Sequence, residues 1–212
     1  MKLRTRTQRP SIQDRLVWQC AAMLLSYPGE QVLVAELLAH TEGQPAELLT
    51  HTNAALTSTD PLRAQADYVE TFDQRRRCSM YLTYWTAGET RNRGSAMLAF
   101  ARVYRDAGVA PPTSEAPDFL PVVLEFAATV DPVAGRRLLA EHRVPIAVLH
   151  TALTEADSPY AYAVAAVLQT LPTTSDEDTQ RAYLLAQNGP PTESVGLQPF
   201  TLTVPPRRPQ GA

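Results

Sequence analysis

Two pairs of carboxylates stand where helical periodicity would align them, Glu70 with Asp73 and Asp118 with Glu125. Paired carboxylates are the groups of general acid–base work. Glu70 and Asp73, three apart, share a helix face, where they serve equally well as solvated charge or as capping groups. The four histidines (His40, His51, His142 and His150) form no HxxxH or HExxH pair, and Pro145 separates the nearest two. Cys20 and Cys78 have no CxxC partner, so a histidine or cysteine metal site is not indicated. GxSxG, GxxxxGK[ST] and GxGxxG are all absent. The pattern is one of binding rather than catalysis.

The binding chemistry concentrates between residues 68 and 105. Tyr68, Phe72, Tyr81, Tyr84, Trp85, Phe100 and Tyr104 form a dense aromatic set, suited to core packing and to a groove that holds an amphipathic helix. Between Arg75 and Arg105, seven arginines (Arg75, Arg76, Arg77, Arg91, Arg93, Arg102 and Arg105) accompany a single acid, Glu89. Guanidinium matches phosphate bidentately, and it also ties helices together through carboxylates.

The surroundings of that strip are acidic. The 212-residue chain carries a net charge of −3, but residues 14–186 hold 13 basic against 21 acidic residues, a net of −8. Such a body repels nucleic acid and attracts a basic peptide. A helical nucleic-acid-binding regulator using Arg75–Arg77 is the alternative, and this charge argues against it. Two isolated thiols suggest a reducing compartment. Arg15 and Gln19 interrupt the apolar run Leu16–Leu25, Gln19 before Cys20 does not suit a lipoprotein signal, and no window reaches the ~18 apolar residues of a membrane span. The expectation is a cytoplasmic protein.

The elements that must position these residues read as helices punctuated by proline, with almost no strand alternation. Ser11 with Asp14 forms a capping-box pattern ahead of the stripe Leu16, Val17, Cys20, Met23, Leu24 and Tyr27. Asp60-Pro61 and Asp131-Pro132 pair an N-cap with proline at the first helical position. Asp118 is expected to cap a helix over Phe119–Val130, Ser158-Pro159 to open one over Tyr160–Leu171, and a helix is expected at Met80–Thr86. The fold class is all-α, a single bundle of about nine helices. Residues 1–10 read as a basic flexible arm, 11–186 as the helical domain, 109–117 as a proline-rich hinge, and 187–212 as a proline-rich, mostly disordered tail.

Three blocks carry a resemblance. Asp60-Pro-Leu-Arg-Ala-Gln-Ala-Asp-Tyr68-Val-Glu-Thr-Phe72-Asp73 with Gly88-Glu-Thr-Arg91-Asn-Arg93-Gly94 is the first, Pro117-Asp118-Phe119-Leu120-Pro121 through Glu125-Phe126 the second, and Ser158-Pro-Tyr160-Ala the third. In this order they resemble the redox-enzyme maturation chaperones of the TorD/DmsD/NarJ group, and within it those that assemble nitrate reductase. Phe119 and Ala87 stand where that family often carries histidine, so imidazole-based roles do not transfer. The resemblance implies a TorD-like helical chaperone without catalytic residues. It would bind the N-terminal segment of the nitrate reductase alpha subunit, with possible contacts to molybdenum cofactor delivery proteins. No cofactor would be stably bound, and contact with the molybdenum cofactor would be transient, during insertion. Tyr68, Phe72, Tyr81, Tyr84 and Leu120 are the expected groove residues, and Asp73, Asp118 and Glu125 the expected partners for the segment's positive charges. Arg75, Arg77, Arg91 and Arg93 are assigned to structure or to cofactor phosphates.

Overall fold

The first helix is fixed by its cap. In the computed structural model, which describes residues 9–29, 32–173 and 175–191, the Ser11 hydroxyl accepts from Asp14 N at 3.0 Å and the Asp14 carboxyl accepts from Ser11 N at 2.8 Å. The reciprocal box satisfies donors that helix geometry leaves open and starts α1 (Ile12–Leu24) in register. Its buried stripe (Val17, Trp18, Cys20, Ala21, Ala22 and Leu24) makes it the central helix.

Around α1 the order is α2 (Val32–Leu38), α3 (Gly43–Ser58), α4 (Pro61–Phe72), a 3-10 turn (Arg76–Cys78), α5 (Leu82–Ala87) and α6 (Arg91–Asp106). The second half holds α7 (Leu120–Thr129), α8 (Pro132–Glu141), α9 (Arg143–Glu155), α10 (Tyr160–Thr170) and α11 (Asp176–Asn188). Apart from one isolated bridge the described residues contain no strand and form an all-helical fold. The described residues hold eleven helices against the expected nine or so, two of them short: α2 has 7 residues and α5 has 6.

Helix α1 packs on α7 at one side and on α10 and α3 at the other; α8 extends the α7 side, and α9 then α11 extend the α10 side. Two polar ties cross the core. Trp18 Nε1 donates to Thr170 Oγ1 at 2.8 Å, and Arg15 Nε donates to the Ala128 carbonyl at 2.8 Å. Helix α8 comes so close to α7 that a Cβ built on Gly135 would lie 2.3 Å from that of Ala127. Asp60 and Asp131 cap α4 and α8 as their sequence pattern predicts, each followed by proline.

The structure departs from sequence expectation in two local places. Asp118 does not cap α7; its N-cap is Phe119, without a side-chain bond, because the Asp118 carboxyl is turned inward to Thr83. The helix expected from Met80 begins only at Leu82, because Met80 and Leu82 use their backbone groups on the 118–120 segment instead. Helix α10 begins at Tyr160 as expected, with Pro159 at its N-cap. The link between α6 and α7 is irregular over residues 109–117, and Tyr104 Oη pins its end by donating to the Pro117 carbonyl at 2.6 Å. Most of the basic arm and the tail beyond Pro191 lie outside the described residues.

Candidate functional site

One backbone pairing organises the aromatic surface. Leu82 N donates to the Asp118 carbonyl at 3.1 Å and Leu120 N donates to the Met80 carbonyl at 3.0 Å, bracketing an antiparallel bridge between Tyr81 and Phe119. In extended backbone successive side chains alternate between faces, and directly opposed residues share one. Tyr81 and Phe119 therefore leave on the same side, half-buried, with ring centroids 5.3 Å apart. Met80, Leu82, Asp118 and Leu120 leave on the other, into the core.

The Tyr81 ring is held from three directions. Its hydroxyl donates to Glu115 Oε1 at 3.1 Å, and the same oxygen accepts from Ala116 N at 3.0 Å. The Arg93 guanidinium lies 5.5 Å from the ring centroid, within cation–π range. Burial first, then the Glu115 carboxylate with Asp118 and Asp73 further off, pushes the phenol up to about 12. The hydroxyl is thus a permanent neutral donor in an acidic neighbourhood.

Beneath the pair sits Asp118, with 0% exposure. Its Oδ2 accepts from the Thr83 hydroxyl at 2.6 Å and from Thr83 N at 3.0 Å, while Oδ1 has no partner. Asp118 thus locks the first turn of α5 to the segment that carries Phe119. Leu120, also at 0%, is core. Both act on the surface from below.

A second aromatic group borders this region. Tyr68 packs edge-on to Tyr27 and Tyr160, and Phe72 lies 4.8 Å from Tyr68 and 4.9 Å from Tyr160. Tyr68 is buried and its hydroxyl donates to the Leu25 carbonyl at 3.1 Å, which makes it a tie between α4 and the end of α1. Phe72 remains half-exposed, and Asp73 follows it at the exposed C-cap of α4. The fields of Asp73 and Glu115 reach both Tyr68 and Tyr81, so the two aromatic groups face a common acidic margin.

Other expected residues lie elsewhere. Tyr84 is buried against Trp85 and Val148 under Ala182, Leu185 and Ala186 of α11. Glu125 is exposed and lines a separate cavity of about 230 Å³ with Val109, Pro112 and Phe126. Arg75 pairs with Glu70, and Arg77 reaches Glu155 at 3.9 Å on the surface. Arg91 opens α6 and is exposed; Arg93, two residues on, has a buried Nε without a partner. The described residues contain no group of three His, Cys, Asp or Glu side chains able to hold a metal, and none of their helices is long and apolar enough to cross a membrane.

Sequence reasoning missed Glu115 and Phe119 as members of the surface. The signal was present: an acid three residues before Asp118, and an aromatic opposite Tyr81 once the two segments are read as extended.

Comparison with known proteins now decides the family. The nitrate reductase delta subunit family profile matches residues 35–166. The probable nitrate reductase molybdenum cofactor assembly chaperone NarJ of Bacillus subtilis is 32% identical over 156 residues, 69% of this chain and 83% of its own length. This chain belongs to that family. Relatives within it, from Bacillus subtilis and Escherichia coli, are named as nitrate reductase molybdenum cofactor assembly chaperones. The nitrate reductase-like protein NarX of Mycobacterium tuberculosis is 62% identical over 157 residues, and the chain spans 24% of that relative's length. A crystal structure of a putative redox enzyme maturation protein from Archaeoglobus fulgidus shares the fold, with a TM-score of 0.57 at 23% identity over 73% of this chain and 91% of that one.

Proposed function

We propose that this chain is a cytoplasmic maturation chaperone for a respiratory nitrate reductase, binding the N-terminal segment of the alpha subunit and keeping the apoenzyme open for molybdenum cofactor insertion and membrane assembly. The observation that carries this reading is the Tyr81–Phe119 ring pair, fixed from below by the Asp118–Thr83 lock and edged by Glu115 and Asp73. A basic amphipathic helix meets such a surface with apolar anchors on the rings and positive charges on the acidic margin. Apolar anchors supply most of the affinity, and charge speeds encounter. Phe72 extends the apolar area beside Asp73. The molybdenum cofactor is cargo of the client here, and Arg93, 5.5 Å from the Tyr81 ring centroid, would meet its phosphate in transit together with Arg91 at the start of the same helix. Arg75 and Arg77, already paired with carboxylates, are structural in this reading.

Calorimetric titration with a synthetic peptide of the alpha-subunit N-terminus tests the proposal. Binding that weakens about 30-fold in Tyr81→Ala, as expected for a central aromatic anchor, and that weakens with added salt supports it. Equal affinity in wild type and Tyr81→Ala, or no binding at low salt, would remove it.

A further inference from the structure

Tyr84, Trp85 and Val148 form a small apolar cluster apart from the main core, in the groove between α5 and α9. Tyr81, one half of the exposed ring pair, packs at its edge. The groove is therefore continuous with the surface described above. Helix α11 lies along it, with Ala182, Leu185 and Ala186 turned onto the cluster.

The groove is larger than the helix seated in it. Helix α11 contributes no buried residue of its own. Of its three contact residues only Leu185 is bulky; the two alanines bring a methyl group each. A cavity of about 350 Å³ runs along either flank, one where Ala182 and Ala186 face Val144 and Ala147, the other where Leu185 faces Trp85 and Val144. Packed interfaces inside proteins leave few voids larger than a water molecule, and atoms lining a gap lose their dispersion partners. A helix with longer apolar side chains at these positions fills the same groove more completely.

The two ends of the covering segment are held differently. At its start Ser175, Asp178 and Thr179 bond to one another within the first turn, and Asp178 stands near enough to Arg143 of α9 to act on it by charge. At its far end the Pro191 carbonyl occupies the place where a Cβ on Gly88 would stand. Gly88, at φ 62, closes α5 and belongs to the first of the blocks that carry the family resemblance. The cover thus crosses α5 and ends on the turn into α6, beside the helix that carries Arg93.

We propose that the groove between α5 and α9 is the seat of the client's amphipathic helix, and that α11 is a resident cover which the client displaces. The proposal rests on the client assigned above and extends its footprint. Tyr81 and Phe119 take the first apolar anchors; Tyr84, Trp85 and Val148, once uncovered, take the next. The affinity measured in solution is then the intrinsic affinity reduced by the fraction of molecules whose groove is open. Whatever holds α11 down weakens the client, and whatever loosens α11 strengthens it.

Two measurements on the full chain test it: hydrogen exchange of the α11 amides, and calorimetric titration with the synthetic alpha-subunit N-terminal peptide. In wild type, adding the peptide is expected to strip protection from α11 while α9 and α10 keep theirs. Leu185→Ala, which removes the one bulky anchor of the cover and leaves the groove intact, is expected to tighten peptide binding about fivefold. Ala182→Leu, which fills a flanking cavity, is expected to weaken it about fivefold. Across wild type and both variants, peptide affinity should run inversely to the protection of α11 in the free protein. Binding that depends on Tyr81 but leaves α11 protected, or affinities that do not follow that inverse order, would overturn the cover and leave the client assignment standing. Absence of binding in wild type and in both variants would remove the two together.

Discussion

The Thr83 hydroxyl donates to Asp118 Oδ2 at 2.6 Å inside a core from which both side chains exclude water. The bond joins residues 35 apart and, with the two backbone bonds of the Tyr81–Phe119 bridge, fixes α5 against the start of α7. Thr83→Val keeps the shape but withdraws one of the two donors to Oδ2. Leaving a buried acceptor short of a donor costs about 1–3 kcal/mol. The urea midpoint of Thr83→Val is therefore expected to fall with an unchanged m-value, and Thr83→Ser to recover most of the loss. A Thr83→Val protein as stable as wild type would show that the lock is ornamental.

Tyr81 offers a separable test of the surface above that lock. Its hydroxyl bonds to a half-buried glutamate, so Tyr81→Phe is expected to cost about 1 kcal/mol or less in stability and to leave the ring pair with Phe119 in place. Because the phenol is pushed up to about 12, peptide affinity through this residue is expected to be flat between pH 7 and 9. Calorimetry at those two pH values compares them directly. A tenfold change that vanishes in Tyr81→Phe would mean that the hydroxyl titrates in place.

The all-helical fold was legible because its signals are local. Ser11 and Asp14, Asp60 before Pro61, and Asp131 before Pro132 each announce a helix start within four residues, and each does so in the structure. The candidate surface was only half legible because it depends on a long-range pairing. Nothing near Asp118 reveals that its carboxyl belongs to Thr83, 35 residues away, and a helix cap is the reading that local sequence favours. The same pairing turned Met80–Tyr81 from helix to extended chain and brought Phe119 outward, where the resemblance showed only a missing histidine. Tyr84 and Tyr81, three apart, would share a helix face; the helix begins only at Leu82, so that α11 buries Tyr84 while Tyr81 stays half-buried at the edge of the same small cluster.

Two glycines make opposite predictions from the same substitution. A Cβ on Gly135 would meet Ala127 of α7 at 2.3 Å, backbone and side chain alike, so Gly135→Ala must push α8 off α7. Overpacking of that kind costs about 1–3 kcal/mol. Gly94 lies exposed within α6 with nothing within 4 Å of its Cβ direction. Gly94→Ala is expected to add about 0.5–1 kcal/mol by removing backbone freedom from the unfolded chain. Thermal unfolding of the two variants beside wild type should bracket it from both sides; shifts of the same sign would contradict the packing described for α7 and α8.

The stability profile against pH should be bounded by partly buried histidines on the acid side and by buried and half-buried tyrosines on the alkaline side. Burial lowers the pKa of His142, against a smaller opposing effect from the Leu138 carbonyl bond and from Glu141 and Asp118, and burial lowers that of His150. Between the depressed folded value and the ordinary value near 6.5, the unfolded chain binds more protons than the folded one. Stability is therefore complete above about 6.5 and is lost as the pH falls below it. At the other end Tyr68, Tyr81, Tyr104 and Tyr160 are all raised, chiefly by burial. The unfolded chain releases their protons first, so stability falls as the pH rises past about 10. Urea midpoints measured from pH 5 to 11 should give a plateau between those limits. The His142 ring packs tilted against that of Phe100, centroids 4.7 Å apart, with Nδ1 at 2.9 Å from the Leu138 carbonyl, so His142→Gln should lower the plateau while flattening the acid limb. An acid limb of undiminished slope in that variant would assign the titration to other groups.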